Sequence, residues 1–361
     1  MEILNKFDKK AVSEYESFVS NMKGASFMQS YNWARVKSNW SSEIVAVRGG
    51  DGNIVGSCLV LIKEIPFLKR SLLYAPRGPV CDYENQRVVE EIFEGIDRLA
   101  DEYNAYKVIC DPPLSENNNK GIELMRSMGF SRKGENSDNE TVQCRCNYQL
   151  CIGGKSADEI MSGFKPDWRN RVRKASRKGV YCEAKGIEGL EDFYPMMEET
   201  GARDNFTVRS PEYFKRFMEG LGESCRLFIC YADIEGNKTP LSGALSVKYS
   251  DTVTYVYGAS SNKHRNLYPN YLMQWTMINW AIDNGCSLYD FGGIPCFQNE
   301  NSPKYGIYKF KKGFGGETVC YAGDFVKEIN PVLCFFMQAY KEVRSLRNIL
   351  LRESSKTPLS H

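Results

Sequence analysis

The sequence predicts a mixed α/β (α+β) protein built from two tandem modules of one design, followed by a C-terminal helix. Three observations lead to this class. A turn, strand, helix, strand pattern occurs twice in the same order, as an internal duplication would produce. Runs rich in Val, Ile, Leu and Tyr alternate with longer segments of helical period. The composition, 42% hydrophobic and 25% charged, is that of a globular chain, and 361 residues are too many for one small core.

In the first module, residues 43–48 read as a strand, Asp51-Gly52-Asn53 as a hairpin turn and residues 54–62 as the returning strand. A strand at 71–74 runs into the turn Ala75-Pro76-Arg77-Gly78-Pro79. A helix is expected over about 85–103 and a strand over 106–111, ending on Asp111. The second module follows the same grammar. Strands at 226–232 and 241–247 flank Glu235-Gly236-Asn237, a strand at 252–257 leads into a turn, and a helix at 268–284 precedes a strand at 287–291. Between them, residues 164–179 carry a basic helix, expected over 167–178, with Asp167 as N-cap and Gly179 just past its end. A meander followed by a helix and a strand is the layout of the N-acetyltransferase-like (GNAT-like) fold. The expectation is two tandem GNAT-like domains at 1–150 and 151–330, with 331–361 as a C-terminal helix and polar tail. Two copies form a cleft that accommodates two large substrates, although duplication for stability alone leaves the same pattern.

The formal net charge is only +2, so affinity for a polyanion has to come from a local patch. The N-terminus lacks an apolar signal region and no window approaches 18 apolar residues, so neither a secretory signal nor a membrane span is expected. The apolar stretch 331–337 is expected to make core or oligomer contacts, with a membrane surface as the alternative. Thirteen cysteines without framework spacing fit reduced thiols in a cytoplasmic protein. With only His264 and His361, and no C-x-x-C pair, a zinc site and a His-dependent nucleophile are both disfavoured. No metal and no cofactor is expected.

Acyl-CoA enzymes of this layout cradle the pyrophosphate with R/Q-x-x-G-x-G/A, because backbone N–H groups must approach phosphate at a helix start. The matching stretch here runs from Arg265 to Asn270. Tyr268 and Asn270 replace the glycines, and Pro269 removes a donor. A different acyl donor is implied. The basic helix places Arg169, Arg171, Arg173, Lys174, Arg177 and Lys178 within ten residues. A cationic stripe of this kind tracks phosphates. Arg169, Arg173, Lys174, Arg177 and Lys178 are therefore candidate RNA contacts, with an anionic membrane or a plain solvated face as alternatives.

Further motifs lie in order over about residues 25–328. They are Gln29-Ser30-Tyr31-Asn32-Trp33, Tyr74-Ala75-Pro76-Arg77-Gly78-Pro79, Tyr257-Gly258-Ala259, Tyr289-Asp290-Phe291-Gly292-Gly293 and Phe310-Lys311-Lys312-Gly313-Phe314. Together they resemble the FemABX family, peptidyltransferases that build the interpeptide bridges of peptidoglycan from aminoacyl-tRNA. The resemblance implies aminoacyl-tRNA as co-substrate and a peptidoglycan precursor, lipid II or UDP-MurNAc-pentapeptide, as acceptor. Peripheral contact with the inner membrane surface is compatible with it.

The resemblance also implies roles. Lys37 and Arg209 would hold precursor phosphate with Tyr213 beside them, since Arg forks across two oxygens and Lys adds a point charge. Arg77 and Tyr257 join the substrate-binding set. Asp111 resembles a proposed base, and Lys311 the lysine that stabilises charge on the reacting carbonyl, with Lys309 and Lys312 flanking it. Tyr255 is placed with the catalytic residues, and strand alternation is expected to turn it to the same face as Tyr257. Each residue also admits a structural role as a helix lysine, turn cap or core tyrosine. Longer members insert a coiled-coil arm into the second domain. Residues 180–330 show none, which implies a short form. A GNAT-type acyltransferase using another donor, and a non-catalytic RNA- or membrane-surface-binding protein, are the rival readings.

Overall fold

The computed structural model describes residues 1–135, 141–295 and 305–354. The first module opens with β1 (Glu2–Ile3), α1 (Lys9–Asn21) and α2 (Tyr31–Val36). Strands β2 (Ser41–Arg48), β3 (Ile54–Ile65) and β4 (Arg70–Ala75) form the expected meander, with β5 (Val80–Cys81) pairing back onto β3. Asp51 accepts from the backbone and side chain of Asn53, and Gly52 takes φ +85°, which closes the hairpin. Helix α3 (Gln86–Glu102) is capped by Asn85 and buries Val88, Ile92, Phe93, Ile96 and Leu99 at helical spacing against the sheet. Then β6 (Ala105–Cys110) returns parallel to β4, followed by α4 (Asn119–Ser127) and β7 (Ser131–Lys133).

The second module starts with β8 (Cys146–Cys151), α5 (Ala157–Ser162), α6 (Pro166–Arg177) and β9 (Tyr181–Lys185). Helices α7 (Leu190–Asp204) and α8 (Pro211–Leu221) follow. Its meander is β10 (Cys225–Ile234), β11 (Asn237–Tyr249) and β12 (Thr252–Ser260). Helix α9 (Pro269–Asp283) crosses to β13 (Leu288–Ile294), which is parallel to β12. The chain continues through α10 (Tyr305–Lys312), β14 (Glu317–Cys320), β15 (Asp324–Glu328) and α11 (Pro331–Ser354). Strand orders are β1-β2-β3-β4-β6-β15-β7 and β14-β8-β13-β12-β11-β10-β9. Each sheet therefore holds a meander joined through a helix to a parallel strand, which is the duplicated GNAT-like layout.

One strand crosses between the modules. β8 pairs with β13 in the second sheet, and β15 crosses back between β6 and β7 in the first. The division between sheets thus falls before Cys146 rather than at residue 150. Cys146 and Cys320, opposite each other in the β8–β14 ladder, form a disulfide, against the expectation of reduced thiols throughout.

Two local expectations change. Pro166 occupies the first turn of α6, where its fixed φ suits the helix, so Lys165 rather than Asp167 is the cap residue. Strand alternation fails in β12, where Tyr257 lies opposite Leu245 and Tyr255 opposite Ser246, which makes Val256 the extra residue of a bulge. Tyr257 packs on Phe214 and Phe217, with ring centroids 5.2 and 5.5 Å away. Tyr255 faces the α9 side.

The described residues form three apolar cores. One lies under α3, and one lies between the second sheet and α6 and α9. The third is shared. Phe27, Trp33 and Leu61 of the first module interleave with Phe214, Phe217 and Leu245 of the second. Trp33 meets Phe27 and Phe217 edge-on at 5.4 and 6.1 Å.

The Gln29-Ser30 motif has a structural reason. Ser30 caps α2, and Gln29 is fully buried. The Gln29 amide donates to Leu59 O (3.2 Å) and Pro76 O (2.8 Å) and accepts from Leu59 N at 2.9 Å, fastening the 75–79 turn to β3. At Gly78 a Cβ would lie 2.5 Å from that amide. We expect Gln29→Ala to lower the unfolding free energy by about 2–4 kcal/mol, because it strips buried backbone groups of their partners. Denaturant unfolding reads this directly, and a loss under about 0.5 kcal/mol would rule the clamp out.

α11 meets the core on one side only. Cys334 turns inward, its thiol donating to Tyr106 O, but Val332, Phe335, Phe336, Tyr340 and Val343 are exposed on the opposite face.

Candidate active site

Lys37 caps the C-terminus of α2, which sets its side chain against α8. Its Nζ lies 4.7 Å from the Trp33 ring centroid and 5.6 Å from that of Tyr213. Arg209 and Arg216 approach the same Tyr213 ring at 5.4 and 5.8 Å. Ser210 caps α8 and Pro211 begins it, so Arg209 and Tyr213 are held at one helix end. The Tyr213 and Tyr257 hydroxyls are 3.0 Å apart. Among the described residues, no ion pair within 4.0 Å neutralises any of the three cations. Burial first, and then Arg209 and Arg216, push the Lys37 ammonium down to about 8. Three cations gathered on one ring make a receptor for an anion with several oxygens.

A second cluster joins the modules. Asp111, buried at the end of β6, accepts from Arg77 N at 2.9 Å, and the Arg77 guanidinium lies 3.6 Å from its other oxygen. Arg77 also donates to Cys144 O at 2.7 Å and covers the Tyr321 ring at 4.8 Å. Gln149 donates to Tyr321 Oη (3.2 Å) and to Asp290 Oδ2 (3.1 Å), which Asn147 also reaches at 2.9 Å. Lys311 completes the chain of contacts. It is buried, and its Nζ donates to Gly293 O at 2.7 Å. Burial brings Lys311 down to about 8, with Asp290 opposing. Burial raises Asp111 to about 6 against the pull of Arg77. Asp324, raised to about 7 by burial and then by Asp111, lies behind it.

Lys37, Arg209, Tyr213 and Tyr257 therefore come together, as do Arg77, Asp111 and, through Asp290, Lys311. Lys309 and Lys312 are exposed, so burial singles out Lys311 among the three. Tyr255 is on the other side of its sheet, removed by the bulge. On α6, Arg173, Lys174 and Arg177 are exposed, and Lys178 donates to Asn266 O at 2.9 Å. Arg169 is instead tied to the Ser162 and Phe164 carbonyls, which makes it a poor RNA contact. A groove of about 850 Å³ lined by Lys185, Arg226, Lys248 and Trp280 contains none of these residues.

Sequence reasoning missed Arg216, Asp290, Gln149, Tyr321 and Asp324. Arg216 had a signal, since it lies three residues after Tyr213 and so on the same helical face. The others are brought in by strands distant in sequence and had none beyond the Asp290 motif.

A model of the FemAB family matches residues 11–237 and 232–342. A lipid II:glycine glycyltransferase of Staphylococcus aureus (strain USA300) is 27% identical over 397 aligned positions, covering 91% of this chain and 94% of the relative. Its counterpart in Staphylococcus haemolyticus (strain JCSC1435) is 28% identical with the same coverage. The crystal structure of FemX matches with a TM-score of 0.84 at 26% identity, over 92% of this chain and 98% of that one. A tandem GNAT protein from the clavulanic acid pathway, 10% identical with a TM-score of 0.54 over 91% and 98% of the two chains, shares the fold. The staphylococcal alignment is longer than this chain of 361 residues, so those relatives carry segments without a counterpart here. Accordingly, no helix among the described residues of 180–330 exceeds 15 residues. With the family match running from residue 11 to residue 342, this chain belongs to the FemAB family.

Proposed function

We propose that this chain transfers an amino acid from aminoacyl-tRNA to the side-chain amine at the third position of the stem peptide of a peptidoglycan precursor. The carrying observation is that two polar clusters lie at opposite ends of the same strands. Lys37 precedes β2, at the sheet end where β4 and β6 begin, whereas Arg77 and Asp111 follow those strands at the other end. A six-residue strand rises about 20 Å. A sugar and three extended residues cover about 15–20 Å, so a precursor gripped by its phosphate at Lys37, Arg209 and Arg216 brings its third residue to the second cluster. The acceptor is lipid II or UDP-MurNAc-pentapeptide. The lipid II named for the relatives carries such a phosphate.

An ester on tRNA is already activated, so no covalent enzyme intermediate is required. The amine nitrogen attacks the carbonyl, the C–N bond forms, and the C–O bond to the ribose breaks. The amine proton passes to the departing ribose oxygen, which leaves as the hydroxyl. Lys311 meets the developing oxyanion, and Arg77 with Asp111 orients the acceptor. Arg173, Lys174 and Arg177 supply salt-sensitive contacts to the RNA strand.

The test is to incubate the protein with a charged tRNA pool and each precursor in turn, then weigh the stem peptide. One added amino-acid residue is expected. No added mass with either precursor, across all charged tRNAs, would refute the reading.

A further inference from the structure

The strand ladders bring Ser41, Ile65, Arg70, Ala105 and Glu328 to one end of the first sheet. That end is next to Lys37, because Lys63 at the close of β3 donates to Asn39 O at 3.0 Å. Apolar groups from separate stretches of sequence project from it. Phe7 stands at the corner between β1 and α1, and Phe67 and Leu68 form the tip of the β3–β4 hairpin. The outer face of α11 starts there too, since Ile329 and Asn330 both donate to Tyr106 O at the start of β6.

These groups are held away from the body of the protein. Phe67 is completely exposed, and Phe335 and Phe336 are 70% and 63% exposed. Phe67 and Lys69 adopt φ of 71° and 46°, and Asn104 fixes the tip by donating to Lys69 O and accepting from Arg70. α11 is fastened in its first turn, where Leu333 N reaches the Asn330 side chain and Cys334 reaches Tyr106 O. Beyond that turn, exposed apolar groups recur at helical spacing at 332, 336, 340 and 343. Lys63, Lys69 and Arg70 border the hairpin tip, and Arg347 is exposed on the helix. Within the hairpin segment 63–70 these three cations meet a single acid, Glu64.

Apolar wedges with a cationic border suit the boundary between headgroups and acyl chains of an anionic bilayer. Separate projections suit it better than a second copy of the chain, which calls for one self-complementary patch. We infer that this end of the first module docks on an anionic lipid surface, with Phe67, Leu68 and the outer face of α11 in its interfacial layer. The Lys37 cluster then sits at headgroup level, where the phosphates of a lipid-linked acceptor lie. The choice of acceptor rests on the proposed function, but the docking does not.

Flotation of the full chain with phosphatidylglycerol and with phosphatidylcholine vesicles tests the inference. Wild type is expected to bind the anionic vesicles about tenfold or more tightly than the zwitterionic ones. Phe67→Glu with Leu68→Glu, and separately Phe335→Glu with Phe336→Glu, are expected to weaken that binding about tenfold or more. Both double variants should unfold at the wild-type temperature and keep wild-type transfer to the nucleotide-linked acceptor. Wild type that stays with the unbound fraction, or folded variants that float like wild type, would overturn the docking. So would a wild-type dimer in sedimentation that Phe335→Glu with Phe336→Glu dissolves, because a second copy would then cover α11. If the proposed function alone is wrong, flotation persists while no precursor is modified.

Discussion

Lys311→Met is expected to lower the turnover number of aminoacyl transfer about 10²–10³-fold and to leave the KM for precursor within about twofold. The ammonium is buried and held by Gly293 O, with Asp290 the main balancing charge. It is therefore fixed before substrate arrives and needs little reorganisation as the oxyanion forms. Met has a similar length and no charge. Removing the lysine also removes the cost of burying an ammonium, which offsets the donor lost at Gly293 O. The variant should accordingly unfold within a few degrees of wild type. That separates a catalytic loss from a folding loss, and Asp111→Asn, expected to be mild, serves as the control. Wild-type turnover in folded Lys311→Met would remove the lysine from the chemistry.

The large elements were legible because local chemistry decides them. The helix expected over about 85–103, Gly179 just past α6 and the Asp51–Asn53 turn all appear where short-range rules put them. The motif around Gln29 was legible as a motif but not as a clamp, since its partners Leu59 and Pro76 are tens of residues away. Tyr255 was misplaced because one inserted residue in β12 reverses every face beyond it, and nothing in Thr-Tyr-Val-Tyr announces a bulge. Lys37 and Arg209 are reached through the family resemblance of their motifs, since nothing in the local sequence brings the ends of α2 and α8 together. The polar network was not legible, because β15 returns Asp324 to Asp111 from 213 positions along the chain. The stretch 331–337 reads as core or oligomer contact, with a membrane surface as the alternative, because an apolar run does not say what will cover it.

Lys37→Ala is expected to raise the KM for precursor about 10–100-fold with little change in turnover, as loss of a charge-assisted phosphate contact of about 1.5–3 kcal/mol requires. The pH dependence carries a sharper signature. With its ammonium at about 8, Lys37 is charged below that pH and neutral above it. Wild-type KM should therefore be flat toward neutral pH and climb above pH 8, towards the Lys37→Ala value. Lys37→Arg keeps its charge throughout, so its KM should not climb. Alkaline unfolding does not produce the same effect. The folded-state value lies below the ordinary 10.5, so between about 8 and 10.5 the unfolded chain binds the extra proton. The penalty for burying the charge is complete below pH 8 and is relieved as pH rises, so this group makes the fold more stable over the very range in which affinity falls. A KM profile that is the same for Lys37→Arg and wild type would place the titration, and with it the phosphate grip, on some other residue.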